Sequence, residues 1–138
     1  MPLLLDPRLA ADTHPVGDLP LSHLLLMDDA RFPWLVLVPR IAGARELIDL
    51  DEADRRTLLT EVCDIGRALE TLHAPDKLNI AALGNVVPQL HVHVVARRTT
   101  DAAWPQPVWG HGVREPYAAA AREQCLAGLR TALKPLLA

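Results

Sequence analysis

The sequence lacks any excess of basic charge: 14 lysines and arginines face 17 aspartates and glutamates, a formal net charge of -3 over 138 residues. That excludes the cationic footprint that duplex nucleic acid demands. A ligand with a few phosphates stays possible, because it needs only local donors. Cysteine is scarce, with Cys63 and Cys125 far apart and no CxxC pair, which argues against a zinc knuckle or a disulfide framework. Both are expected as buried, reduced thiols. No apolar run approaches the roughly 20 residues that span a bilayer. The opening Met1-Pro2-Leu3-Leu4-Leu5-Asp6 has no basic stretch of the kind that begins a signal peptide, so a cytoplasmic protein without a membrane partner is expected. Repeats, low-complexity tracts and linkers are absent as well, which predicts one domain over 1–138.

What is present is an ordinary globular balance, half apolar and 22 % charged. The stretch through about Pro20 is rich in Pro, Asp and Gly and reads as irregular or briefly extended. Leu21–Met27 and Trp34–Val38 are apolar runs separated by turn-forming residues, the pattern of a hairpin. Their unbroken Leu/Val character predicts strands covered on both faces. Asp51 is a good N-cap, and Leu58, Val62, Ile65, Leu69 and Leu72 recur at helical spacing as far as His73 and Pro75. Leu78–Leu83 and Val86–Ala96 read as strands around a tight turn at Gly84-Asn85. Trp104–Gly110 is too proline-rich for regular structure, and a last helix is expected from about Pro116. Strands, helix, two strands, loop and helix predict an α+β fold with a mainly antiparallel sheet of about five strands.

The chemistry concentrates in Gln89-Leu90-His91-Val92-His93-Val94-Val95. In an extended strand alternate residues share a face, so Gln89, His91 and His93 would stand in a row about 6 to 7 Å apart, with Leu90, Val92, Val94 and Ala96 turned into the core. Three polar groups on one such face need partners, and a bound anion would supply them. One reading makes His91 and His93 metal ligands, completed by His14, His23, His73 or His111, although none of these stands at a metal-ligand spacing. The other makes one imidazole a nucleophile toward phosphorus, with its neighbours stabilising phosphoryl oxygens and the leaving group.

The segment resembles the signature of the histidine triad (HIT) family, His-φ-His-φ-His-φ-φ with φ apolar, with Gln89 in place of the first histidine. The resemblance extends over roughly 21–110: Leu26-Met27-Asp28-Asp29, the run Leu35–Val38 ending in Pro39-Arg40, the long helix within Leu47–Leu72, the strands of Leu78–Arg97 and the Trp- and Pro-rich tail. It implies a HIT-like fold, usually a homodimer, acting on the α-phosphate of nucleotides or dinucleotides without a metal or other cofactor. By the same resemblance His91 would carry the nucleotidyl intermediate, and His93 would contact phosphate and leaving group. Gln89, Asn85 and Asn79 would lie near the phosphate, Asp28 at the ribose, and Leu26 and Met27 beside the base. The departures are Gln89, which cannot titrate, Val86 where many members have a hydroxyl donor, and Trp34 near a position often held by another histidine. They leave open a nucleotide-binding module with little catalysis.

Other polar residues have simpler readings. Arg40, Arg97 and Arg98 are expected as solvated strand ends, Trp104 and Trp109 as covers for a sheet edge or an interface. Asp54, Arg55 and Arg56 fit an exposed helix face, and His73 suits a helix C-terminus through the dipole.

Overall fold

A computed structural model describes residues 3–138; Met1 and Pro2, part of the opening stretch read above, lie outside them. Five strands form one antiparallel sheet: β1 (Thr13–Asp18), β2 (Ser22–Met27), β3 (Trp34–Pro39), β4 (Lys77–Ala81) and β5 (Val92–Arg97), in the spatial order β1-β2-β3-β5-β4. With them come the helices α1 (Pro7–Asp12), α2 (Glu52–His73) and α3 (Ala119–Leu133), and a 3-10 turn at Leu47–Asp49. This is the α+β arrangement expected.

The best-patterned elements form for the reasons their sequences give. Asp51 caps α2 by accepting the Asp54 N–H, and Ala74 ends it in a left-handed turn at φ 44°. The stripe Leu58, Val62, Ile65 and Leu69 packs with Leu24, Leu26, Leu35, Leu37, Val92 and Val94, and with Leu126, Leu129 and Leu133 of α3. All six residues of β3 are buried, because the other sheet face is covered too: Leu9, Leu25, Phe32, Trp34, Val36, Val38, Val95, Ala103 and Val108 form a second apolar cluster there. The sheet is thus a septum. One face belongs to the long helices, and the other to the chain's first residues and the irregular stretch after β5.

Several expectations need correction. The N-terminal stretch, read as irregular or briefly extended, is extended over β1, which pairs with β2, but helical before it, where Asp6 accepts the Arg8 N–H and Pro7 suits the first helical turn. Pro15 is tolerated in β1 because that strand is the sheet edge, and the register slips between Pro15 and Gly17 as a bulge. The signature strand is shorter than expected, starting at Val92, since residues 82–91 form an open loop instead of a tight turn. Strand β4 ends at Ala81, and α3 starts at Ala119. Both cysteines are free, but Cys63 is exposed and Cys125 half-buried. Arg97 is not solvated at all; it is 1 % exposed. Arg40 donates to the carbonyls of Leu19 and Pro20. No helix among the described residues is long and apolar enough to cross a membrane.

Candidate functional site

Pairing of β3 with β5 sets His93 opposite Val36 and Val95 opposite Trp34. His93 and Trp34 are therefore diagonal neighbours on the sheet face away from the long helices, a spacing that large side chains bridge. The Trp34 indole Nε1–H donates to His93 Nδ1 at 3.0 Å. Trp109 stands edge-on to both rings, at centroid distances of 6.1 and 5.3 Å, and its own Nε1 is buried without a hydrogen-bond partner. His91 lies just before the strand, its ring 4.9 Å from that of His93 and nearly perpendicular.

His91 Nδ1 is 2.7 Å from the carbonyl oxygen of Gln89. A carbonyl only accepts, so Nδ1 carries the hydrogen, and in the neutral ring Nε2 holds the lone pair. The two imidazoles are only 7 % and 5 % exposed, yet both belong to the wall of a cavity of about 570 Å3. That volume suits a small-molecule ligand. Asn85, Gly84 and Val86 of the open loop line one side, and Met27, Asp29 and Arg31 another. Gly84 takes φ 73°, a left-handed conformation that glycine adopts without a Cβ clash.

Four of the proposed contacts stand elsewhere. Gln89 lies outside the strand, so the alternation that would have aimed it beside the histidines does not reach it. Its amide accepts the Asp6 N–H at 2.8 Å and donates to the Leu4 carbonyl at 3.0 Å, tying down the N-terminal segment. Asp28 accepts the Tyr117 N–H and lies 3.0 Å from His14 Nε2; burial alone would raise its pKa, but these partners hold it below the usual carboxylate range. Asn79 accepts from the guanidinium of Arg97. Leu26 is 1 % exposed in the core beneath the long helices, on the opposite face from Met27.

The cavity has walls that sequence patterning did not single out. The N-terminal helix contributes Arg8, Leu9 and Asp12, and the C-terminal stretch His111, Gly112 and Arg114. Asp29 holds Arg31 through contacts of 3.0 and 2.8 Å. Burial opposes ionisation of Asp29, yet the Arg31 guanidinium and the N–H groups of Arg31 and Glu115 hold its pKa down. Only Trp34 carried a usable signal, through the resemblance, as the residue near a position often held by another histidine; its nearness to the signature strand comes from the long-range pairing of β3 with β5. Among the described residues no three His, Cys, Asp or Glu side chains cluster as a metal site.

A family model for the HIT domain matches residues 8–100, more than half of the chain. The chain belongs to the HIT domain family. Solved HIT structures are similar over nearly the whole length. A histidine triad protein from Bradyrhizobium japonicum is 48 % identical, with 100 % of both chains covered and a TM-score of 0.91. Another from Marinobacter aquaeolei is 42 % identical over 99 % of each chain, TM-score 0.95. A third, from Sinorhizobium meliloti, is 41 % identical over 97 % of this chain and 96 % of its own, TM-score 0.89. Among curated proteins none matches the chain significantly.

Burial, and after it the adjacent His91 ring, holds the pKa of His93 down to about 3, against an ordinary 6.5. The unfolded chain therefore binds a proton near pH 6.5 that the folded chain refuses until about pH 3. Stability is full above the upper value and falls as pH drops through this window, by up to about 1.4 kcal/mol per pH unit from this residue. Urea denaturation at pH 7 and pH 5 should show the loss, and His93→Asn should flatten it. An equal slope in the variant would assign the effect to other groups.

Proposed function

We propose that this HIT protein is a nucleotidyl hydrolase or transferase, in which His91 Nε2 attacks the α-phosphorus of a nucleoside phosphate derivative. The observation that carries this reading is the pair of hydrogen bonds orienting the two rings. The Gln89 carbonyl leaves His91 with a free lone pair at Nε2, and Trp34 leaves His93 with a hydrogen at Nε2. A nucleophile and a hydrogen-bond donor thus stand side by side in a cavity of nucleotide size. Asn85 in the open loop would contact the phosphate and Met27 would pack against the base; that both line the cavity supports these roles. The unpartnered Trp109 N–H supplies a further donor that a phosphoryl oxygen would satisfy.

Incubation with adenosine nucleotide donors, quenched rapidly and analysed by mass spectrometry, tests the reading. A nucleotidyl adduct on the peptide containing His91 is expected, and it should decay as nucleoside monophosphate accumulates. Micromolar AMP binding with neither adduct nor turnover would identify a binding module instead. The absence of the first histidine of the family signature favours that alternative.

The resemblance implies a homodimer, and the surface beside β4 supports one. Strand β4 is an open sheet edge, and Ile80, Leu47 and Leu59 are 51 %, 47 % and 65 % exposed around one groove between that edge and α2. An uncovered apolar sheet edge invites pairing, and a second copy of this chain is the occupant proposed. Light scattering should give about twice the 15.1 kDa chain mass, and Ile80→Lys with Leu59→Lys should give the single mass. A monomeric wild type would remove the proposal.

A further inference from the structure

We propose that Trp34 is a positioning residue that locks His93 as a donor through Nε2–H, and that the site therefore acts on nucleotidyl compounds whose leaving group departs as an anion without being protonated. The proposal rests on the nucleotidyl-transfer reading above and narrows its substrate class. An indole N–H can only donate. At 3.0 Å it requires a lone pair on His93 Nδ1, so the hydrogen of the neutral ring sits on Nε2. Protonating Nδ1 would set N–H against N–H and leave a buried indole donor unmatched. Trp34 cannot easily turn away, because it is 6 % exposed and held edge-on by Phe32 and Trp109. The low pKa of His93 agrees with this geometry.

The consequence concerns the proton that an amine leaving group needs. A general acid works best with a pKa near the working pH. A neutral imidazole N–H donates a hydrogen bond but does not give up its proton there. Gln89 has its amide on the backbone of residues 4–6, and Asp29 is held ionised by Arg31. Beyond them the wall offers Asp12, already paired with Arg114, and the imidazole of His111. Donors, by contrast, are at hand: Arg8, Arg31 and Arg114 stand around the same cavity, each paired with Asp6, Asp29 or Asp12, so they offer guanidinium N–H groups to an anionic oxygen without a net positive charge. Such a site favours phosphate-type oxygen leaving groups over amines.

The step balances without an added reagent. His91 Nε2 forms a bond to the α-phosphorus while the bond from phosphorus to the leaving oxygen breaks. The electron pair leaves with that oxygen, whose charge is met by His93 Nε2–H and the arginines. His91 Nδ1 keeps its hydrogen on the Gln89 carbonyl, so the intermediate is a nucleotidyl-imidazolium. Water then attacks phosphorus, the N–P pair returns to Nε2, and a water proton passes to solvent.

Two measurements on the wild-type chain test this. Long-range proton–nitrogen spectra should show His93 protonated at Nε2 alone from pH 8 to pH 5, with Trp34→Phe letting a tautomer with hydrogen on Nδ1 appear. Turnover of diadenosine triphosphate should exceed that of adenosine 5′-phosphoramidate by about 100-fold or more, the scale of a missing general acid. A hydrogen on His93 Nδ1 in that pH range would overturn the lock. Comparable turnover of the two compounds, or fast phosphoramidate turnover lost in His111→Ala, would overturn the leaving-group assignment. If neither compound turns over, the nucleotidyl-transfer reading fails and takes the leaving-group assignment with it, while the spectra decide the lock independently.

Discussion

His91→Ala is expected to lower nucleotidyl turnover by on the order of 10³-fold or more, while changing AMP affinity far less. The asymmetry follows from where the ring's two nitrogens are engaged. Nδ1 is committed to the Gln89 carbonyl, which fixes the plane of the ring and leaves Nε2 as its only reactive atom. On the proposed reading, ground-state binding would be spread over the loop carrying Asn85, the Met27 side and the arginines, all of which line the cavity and none of which the substitution touches. Chemistry has no such redundancy. His93 is the nearest other imidazole, at 4.9 Å between ring centroids, but its Nδ1 accepts from Trp34 and its Nε2 carries hydrogen, so it presents no lone pair toward phosphorus. Stopped-time turnover assays and calorimetry with AMP on the same preparations check both halves. Retention of turnover within tenfold would mean that a different atom attacks, and adduct mapping would then identify it.

The parts of this arrangement that could be read from the sequence are those carried by long, regular patterns. The hairpin of β2 and β3 shows as two unbroken apolar runs and the helix α2 as a helical repeat, and in both burial dictates the element. Strand alternation also assigned Leu90, Val92, Val94 and Ala96 to the core, where they lie. The same rule failed at Gln89 for a definable reason. Parity holds only within a strand, and the backbone leaves the ladder before Val92, with the Leu90 N–H donating to the Ala44 carbonyl instead. Strand β1 and helix α1 are no shorter than β2 and β3, six residues each, but they lack an apolar run and carry Pro and Gly, and they become ordered by docking on neighbours. The cavity walls they and the 111–114 stretch contribute are juxtapositions between distant segments. No local pattern encodes them. Trp34 shows the intermediate case: the resemblance marked its position as a departure, whereas its place opposite the signature strand and its role as a donor to His93 required the structure.

The largest stability effect should come from Arg97, outside the reacting groups. Its guanidinium is 1 % exposed and donates to Asp101 at 2.7 and 3.1 Å, to Asn79 Oδ1 at 2.8 Å and to the Gln106 carbonyl at 2.9 Å. The rings of Phe32 and Trp104 flank it at 5.7 and 5.5 Å. Asp101 in turn accepts the N–H groups of Arg98, Ala103 and Trp104; the Arg97 hydrogen bond, chiefly, holds its carboxyl far below the usual carboxylate range. Removing only the cation leaves a nearly buried carboxylate short of its main partner, a loss of about 3–5 kcal/mol. Arg97→Met should therefore lower Tm by roughly 10–15 °C in calorimetry. Adding Asp101→Asn should recover part of that loss, because the stranded charge goes as well. The stretch that Arg97 pins also carries Val108 and Trp109, so activity should fall with stability, and adding a nucleotide ligand should restore some of the stability. A Tm within 3 °C of wild type for Arg97→Met would mean that water reaches the carboxylate and that the ion pair contributes little. Steeper loss in the double variant than in either single one would mean instead that the loop depends on Asp101 as an acceptor of backbone N–H groups, independently of the arginine.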